Sequence, residues 1–402
     1  MKWIHRCLIP AACSLLLSGC WSQKELNDLA IISAMGIDLK EGGGYTATLQ
    51  IINPANVAGG LQGGGAGTNA PPVSIYTAEG DNIVATNRQA TQKLPRIRYY
   101  AHTNLLVVSE ELARKEGIEL ILDAIERDAE FRMTSVLVIA QGTTAGELVK
   151  VLTPVDKIPA NKVIKNLRFA EQQRGEHVTM NVQDIIKDLT AEGKEPVIAG
   201  FIIEGDPKEG VALENTHQTE PPARIGLGSL GLFREGKLVD WAEGSAARGT
   251  VWILDKLKGT NISIDWEDKQ DAVVYEVIRQ NTKVTAKLKQ GKPAINIQVQ
   301  AEGNIGETRV QLQLDDPKVL LKLEKAFEKE IEAELITAVE QAQKAKSDVF
   351  GFGESIHRSY PEEWKKLKAE WHDAQFPELK VDVTVEAFIR RTGLRNNPHK
   401  RN

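Results

Sequence analysis

Apolar and polar residues alternate most regularly in the last third of the chain. Every second residue is apolar in 295–301 and again in 379–389. A period of two is typical of strands that bury one face, and it favours antiparallel pairing. Between these runs, 317–346 begins at a proline and places apolar residues along one side at helical spacing. The pattern therefore predicts a sheet that is covered on one face by a long helix.

Elsewhere, short apolar runs are mixed with segments of helical period. Strands are predicted over 31–39, 45–52, 73–78, 104–109, 135–140, 197–203, 228–233, 238–241, 273–278 and 284–288. Helices are predicted over 82–94, 110–127, 144–152, 160–173, 181–191, 246–257 and 361–373. This mixture predicts the α+β class, with mixed or antiparallel sheets and helices packed on them.

Changes in composition divide the chain into three predicted domains. The segment Glu-Gly-Lys-Glu-Pro, which ends at Pro196, marks the first boundary. A Gly-rich stretch over 59–72 is expected to form a flexible loop. We predict an N-terminal α+β domain, a small middle domain, a C-terminal α+β domain and a basic tail, over 20–194, 195–258, 259–392 and 393–402 respectively.

Residues 1–19 are typical of an export signal. Lys2 and Arg6 precede a short apolar run, which ends in Leu-Ser-Gly and then Cys20. The run is shorter than the roughly 20 residues that a membrane-spanning helix needs. Its ending resembles the lipobox of bacterial lipoproteins, which implies cleavage before Cys20 and attachment of a diacylglycerol to its thiol. The alternative is a plain secretory signal with a chance cysteine.

Composition then narrows the class of protein. With 42% apolar and 26% charged residues, the 402-residue chain has an ordinary globular composition, which excludes a disordered, fibrous or polytopic membrane protein. A net charge of −5 gives no electrostatic case for nucleic-acid binding. All three cysteines lie in the first twenty residues, so the rest of the chain holds no disulfide and no thiolate metal site.

Motifs for catalysis or cofactor binding are weak. Residues 226–231 match G-x-G-x-x-G, but a predicted hairpin follows them, so the helix that a dinucleotide site requires is missing. The histidines beyond the signal do not pair with one another or with cysteine at metal-ligand spacing. No Gly-x-Ser-x-Gly nucleophile motif occurs. We therefore expect no cofactor, no metal site and no enzymatic activity.

Two stretches remain as candidates for interaction with a partner. Phe350, Phe352 and Glu354 lie in a segment with two aromatics and two glycines between two predicted helices. This segment is either a binding element or a tight link packed on the core. Arg390 and Arg391 open the basic C-terminal end, which either meets anionic lipid headgroups or stays solvated.

Short motifs follow one another along the whole chain in a distinctive order. They are 21–30 directly after the lipobox, 36–38 (Gly-Ile-Asp), 96–102, 127–132, 248–249 (Arg-Gly), 348–353, 360–364 and 389–393. In order and spacing they resemble the Ger(x)C family, the C-subunit lipoproteins of spore germinant receptors. The Gly-rich stretch over 59–72 departs from the family in composition, as surface loops often do.

The resemblance implies a three-domain lipoprotein without catalytic activity, anchored through Cys20 on the outer surface of the inner spore membrane. It also implies two partners in nutrient-triggered germination, a polytopic A subunit and a transporter-like B subunit. Whether this chain itself binds the nutrient stays open. The alternative is a lipid-anchored solute-binding protein of a transporter, which predicts two α/β lobes with parallel sheets around a cleft; the alternating strands of 273–301 and 379–389 argue against it.

Overall fold

The computed structural model describes residues 25, 28–58, 70–289 and 291–391. Cys20, most of the predicted Gly-rich loop and the predicted tail lie outside these residues. The strands are β1 (Leu29–Leu39), β2 (Tyr45–Ile52), β3 (Val73–Gly80), β4 (Ile97–Tyr99), β5 (Leu105–Ser109), β6 (Val136–Ala140), β7 (Val197–Gly205), β8 (Ala223–Arg234), β9 (Lys237–Ala242), β10 (Thr260–Trp266), β11 (Lys269–Lys289), β12 (Lys292–Thr308) and β13 (Lys380–Arg391).

Helices connect these strands and cover their faces. They are α1 (Pro54–Ala58), α2 (Ile83–Lys93), α3 (Glu110–Lys115), α4 (Glu119–Glu126), α5 (Ala145–Lys150), α6 (Pro159–Gln173), α7 (Val182–Thr190), α8 (Pro207–Gly210), α9 (Gly244–Ile253), α10 (Pro317–Lys344), α11 (Phe352–Ser359) and α12 (Pro361–Leu367). Short helical turns follow at Lys368–Glu370 and Trp371–Gln375. Helices and strands thus share the chain, as the α+β prediction requires.

Nine strands of the described chain form one sheet, which we call the large sheet. Its order is β3-β2-β1-β5-β6-β7-β8-β9, and β4 pairs with the start of β1. The neighbours from β1 to β7 in this order are parallel, whereas the outer pairs are antiparallel. The central strands β5 and β6 are buried along their whole length and are apolar except for Ser109, as expected of parallel strands covered on both faces.

The remaining strands form a small sheet in the order β10-β11-β12-β13, and α10 packs across one face of it. Phe327 of α10 stacks on Tyr275 of β11 with ring centroids 4.7 Å apart. The predicted sheet with a long covering helix is therefore confirmed. Antiparallel pairing was wrong for β12 and β13, which are parallel, because α10 lies between them in the chain and returns it to the same end of the sheet.

The predicted boundary at 194/195 falls just before β7, which lies in the same sheet as β1 to β6. Strands on both sides of that boundary therefore share hydrogen bonds, and the three-domain division stays a prediction. One buried apolar cluster extends from β1 through α9 and α10 to β13. The two sheets described here share this core and do not enclose a cleft between two parallel-sheet lobes, the arrangement that the solute-binding alternative predicts.

Candidate functional site at two joints between the sheets

Two clusters of buried charged groups lie where the parts of the chain that carry the two sheets meet. The first, which we call the acid joint, contains Glu195, Asp348 and His372. The second, the ion-pair joint, contains Arg248 and Glu334. Buried ionisable groups need partners to offset the loss of hydration. The groups that contact each buried charge therefore determine its protonation and its contribution to stability.

Asp348 lies in the turn that follows α10. Its side chain is completely buried, and its carboxylate accepts hydrogen bonds from the backbone N–H groups of Phe352 at 3.0 Å and Gly353 at 2.8 Å. The indole Nε1 of Trp371 donates a third, at 3.0 Å. Burial raises the pKa of Asp348 to about 6, although these hydrogen bonds act in the opposite direction. The carboxylate is thus held by neutral donors, and it fixes the start of α11.

Glu195 approaches from the segment that precedes β7. Its backbone N–H donates to the carbonyl oxygen of Asp348 at 2.9 Å, and its carboxylate accepts from the N–H of Glu235 at 3.0 Å. Nε2 of His372 lies 3.3 Å from the same carboxylate oxygen. Burial raises the pKa of Glu195 to about 7, and the negative charge of Asp348 adds to the increase. Burial lowers the pKa of His372. The proton occupancy of Glu195 therefore responds to pH near neutrality.

Two glycines allow the backbones of the acid joint to meet. A Cβ atom added to Gly193 would lie 2.7 Å from Cα of Gly353, and Gly193 has a φ of +71°. The backbone N–H of Glu354 donates to the carbonyl oxygen of Gly193 at 3.2 Å. Side chains larger than hydrogen would separate these segments, so the contact between the large-sheet segment and α11 depends on both glycines.

Aromatic side chains surround the acid joint and exclude water from it. The rings of Trp364 and Trp371 meet edge to face at 5.1 Å, and those of Phe350 and Phe352 lie 5.0 Å apart. Phe376 completes the cluster. Such pairs stabilise a core beyond the area that they bury, and they keep the carboxylates in a medium where charge is unfavourable.

The structure brings only part of the sequence-predicted stretch into this site. Phe350 and Phe352 are buried in the aromatic cluster, which is the arrangement that the tight-link alternative describes. Glu354 is partly exposed and pairs with Arg358 one turn later in α11. A role for Glu354 in binding a partner stays a prediction.

The other predicted interaction residues lie at the far end of the small sheet. Nη2 of Arg390 is 2.8 Å from Glu302 on the neighbouring strand, and its guanidinium lies over the ring of Phe388. Arg391 is exposed at the last described position. These arginines are separate from both joints, and their proposed contact with lipid stays a prediction.

Sequence reasoning did not single out Glu195, Asp348 or Glu334 as functional. Each is a single acidic residue in a segment that also contains exposed charges, so residue type alone does not reveal its burial. One signal was available, because Gly193 and Gly353 each stand next to one of the acidic segments, and glycine at such a position can indicate close backbone approach.

The ion-pair joint connects α9 with α10. Nε of Arg248 lies 2.9 Å from both carboxylate oxygens of Glu334, and the indole Nε1 of Trp252 donates to the same carboxylate at 3.3 Å. A Cβ atom on Gly249 would lie 2.1 Å from the backbone carbonyl oxygen of Glu334. The Arg-Gly pair recognised in the sequence thus supplies the cation for this buried carboxylate and the space for the helices to touch.

Within the described residues, no group of three or more histidine, cysteine or acidic side chains is arranged to hold a metal ion. None of the helices in those residues is both long and apolar enough to cross a bilayer.

The parts of the chain that form both sheets match families of spore germination proteins. The model of the spore germination protein N-terminal domain matches residues 22–203, and the model described as spore germination B3/GerAC like, C-terminal, matches residues 229–393. Spore germination protein KC of Bacillus subtilis (strain 168) is 48% identical over 99% of this chain and 98% of its own length. Spore germination protein YndF of the same organism is 24% identical over 94% of each chain. The crystal structure of the GerBC protein shares the fold, with a TM-score of 0.55 and 19% identity over 89% of this chain and 96% of that one.

Proposed function

The chain belongs to the family of spore germination B3/GerAC-like proteins, and from this premise we propose that it is the lipid-anchored C subunit of a spore germinant receptor. The observation that carries the proposal is the 48% identity to spore germination protein KC along almost the entire chain. The family resemblance stated from the sequence motifs is confirmed by these matches.

Anchoring at Cys20 is the first part of the proposed function. The basic start, the short apolar run and the Leu-Ser-Gly-Cys ending support cleavage before Cys20 and attachment of a diacylglycerol there. Two or more acyl chains hold a protein stably on a bilayer, where one chain is marginal. The anchor would hold the folded chain on the outer surface of the inner spore membrane and raise its effective concentration beside membrane partners.

Assembly with the A and B membrane subunits is the second part. We propose that the chain takes part in the nutrient response without catalysis. It binds these subunits and transmits their conformational change. The continuous core and the two joints support this role, because a displacement of one sheet is then resisted by buried contacts to the other. The names of the relatives refer to germination and to no reaction, which also favours a non-catalytic role.

Spores that carry Cys20→Ala test the proposal. We expect the protein to be made but to leave the membrane fraction, and one nutrient response to be lost, because the anchoring thiol is gone. Cys13→Ala is the matched control: it removes a cysteine upstream of the proposed cut, so both the membrane fraction and germination should stay normal.

The proposal fails if Cys20→Ala spores keep every nutrient response while the protein is found in the soluble fraction. It fails equally if the variant stays on the membrane as the Cys13→Ala protein does. Protein level, fractionation and germination with single nutrients are therefore measured in the same spores.

A further inference from the structure

One run of residues in the large-sheet region carries basic side chains and no acidic one. Residues 82–109 include Arg88, Lys93, Arg96 and Arg98 but neither Asp nor Glu. The chain as a whole carries a net charge of −5, so this run of 28 residues stands apart from its surroundings. It comprises α2, β4 and β5, and the first two of these reach the surface.

The exposed part of this run combines cations with apolar side chains. Arg88 lies one turn after Val84 on α2, and Val84 is 54% exposed. Arg96 is exposed next to Ile97 of β4, which is 48% exposed. Among the described residues, neither Arg88 nor Arg96 forms an ion pair. Protein surfaces that bind anionic bilayers typically combine basic side chains with exposed apolar ones.

The same residues line a cleft of about 990 Å³. The segment after the end of α4 also lines this cleft, with Asp128 and Glu130. Arg127 in that segment pairs with Asp123 at 2.9 Å. The cleft is therefore lined by a basic and an acidic segment, and only the segment of α2 and β4 has the charge to rest on an anionic surface.

The cleft also lies where the described chain begins. Asp28 lines it, and seven residues separate Asp28 from Cys20. Eight extended residue steps span at most about 28 Å. An anchor at Cys20 would therefore hold this side of the protein within that distance of the bilayer.

We propose that the surface formed by Val84, Arg88, Arg96 and Ile97, which we call the basic face, lies against the anionic headgroups of the bilayer that holds the protein. This inference rests on the proposed anchoring at Cys20. It adds an orientation to the anchor: the large-sheet end lies on the membrane, and the protein does not turn freely about its tether.

Vesicle binding by the mature-length chain carrying Cys20→Ser tests the basic face without the anchor. The probe is phosphatidylcholine vesicles with and without about one third phosphatidylglycerol. We expect sedimentation with the anionic vesicles only, weakened by salt. Arg88→Gln combined with Arg96→Gln should lower the partition coefficient about 30-fold, since each basic residue near an anionic surface contributes about a factor of five.

The matched control is Lys287→Gln combined with Lys292→Gln, which removes the same charge from two exposed lysines at the turn between β11 and β12. It should reduce binding much less. Equal losses in the two double variants overturn the proposal, as does equal binding of the parent chain to both kinds of vesicle.

A third result would also overturn it. If the arginine variant binds vesicles like its parent but spores carrying it lose a nutrient response, an acidic protein partner covers the basic face. Because the unlipidated chain is used, failure of the vesicle experiment leaves the proposed anchoring and germination role to be judged by Cys20→Ala spores.

Discussion

The two joints connect the same two parts of the molecule by opposite electrostatic means. At the ion-pair joint, the buried carboxylate of Glu334 meets the guanidinium of Arg248 in a two-oxygen contact. At the acid joint, Asp348 and Glu195 accept hydrogen bonds from neutral donors. The half-buried His372 lies 3.3 Å from Glu195, and the more distant charge of Arg234 lowers the pKa of Glu195 without offsetting its burial.

This difference decides how each joint responds to its surroundings. At the ion-pair joint, the guanidinium of Arg248 keeps its charge at any ordinary pH, because it does not lose its proton. Two carboxyl groups with pKa values of about 7 and about 6 change charge within a range where most proteins are stable. One joint therefore always contains a cation that favours the charged carboxylate, whereas the two carboxyl groups of the other joint change protonation near neutral pH.

Glu334→Ala should produce the largest effect on the free energy of unfolding. It leaves the largely buried guanidinium of Arg248 with only the longer contact to Glu176, at 3.9 Å, and breaking a buried pair costs about 3–5 kcal/mol. Denaturant unfolding at one pH measures the change. Glu340→Ala, which changes an exposed residue later in α10, is the control; similar losses in the two variants would contradict a special role for the ion-pair joint.

Glu195→Gln should produce an intermediate effect that depends on pH. The pKa of Glu195 rises from its ordinary 4.5 to about 7 on folding, so the folded state binds the proton more tightly. The resulting stabilisation is complete below about pH 4.5 and is lost as the pH rises through about 7. The parent should therefore lose up to about 3 kcal/mol of unfolding free energy over that range.

In the Glu195→Gln variant this part of the pH dependence should be absent, while the part from Asp348, which ends near pH 6, remains. Unfolding at a series of pH values distinguishes the two parts. Glu235→Gln removes an exposed negative charge that raises the pKa of Glu195, so it should shift the profile slightly to lower pH and leave its size little changed. If the pH profile of Glu195→Gln equals that of the parent, then Glu195 does not bind the proton that causes this pH dependence.

Arg390→Ala should have the smallest effect. Its partner Glu302 lies on the surface of the small sheet, and exposed ion pairs of this kind contribute little to stability. Thermal unfolding should be close to that of the parent. A loss comparable to that of Glu334→Ala would show that the contrast between buried and exposed pairs does not hold here.

Much of the local structure was predictable from particular residues. The alternation in β12 and β13 correctly indicated one buried face, and the apolar stripe after Pro317 indicated α10. The continuous apolar runs of β5 and β6 indicated buried strands. These features depend on the spacing of side chains along one segment. That spacing is the same wherever the segment lies in the fold.

The candidate site was less predictable, because it is made by segments that are far apart in the chain. Glu195 and Asp348 are separated by more than 150 positions in the chain. The residues next to each of them do not indicate that the two lie close together. Phe350 and Phe352 were recognised as distinctive, but whether they faced a partner or the core depended on Trp364 and Trp371. Burial is a property of the assembled molecule, and so are the pKa changes that it produces.

The amino-acid sequence by itself determined the class of fold, the covering of a sheet by a long helix and the relation to spore germination proteins. Periodicity and motif order are properties of the linear chain and do not depend on contacts between distant segments. Only the tertiary structure decided that β13 pairs parallel to β12, that β7 to β9 continue the large sheet, and which acidic residues meet a cation. These outcomes depend on contacts between distant segments. Each such contact is selected by the packing of the whole core and not by any local run of residues.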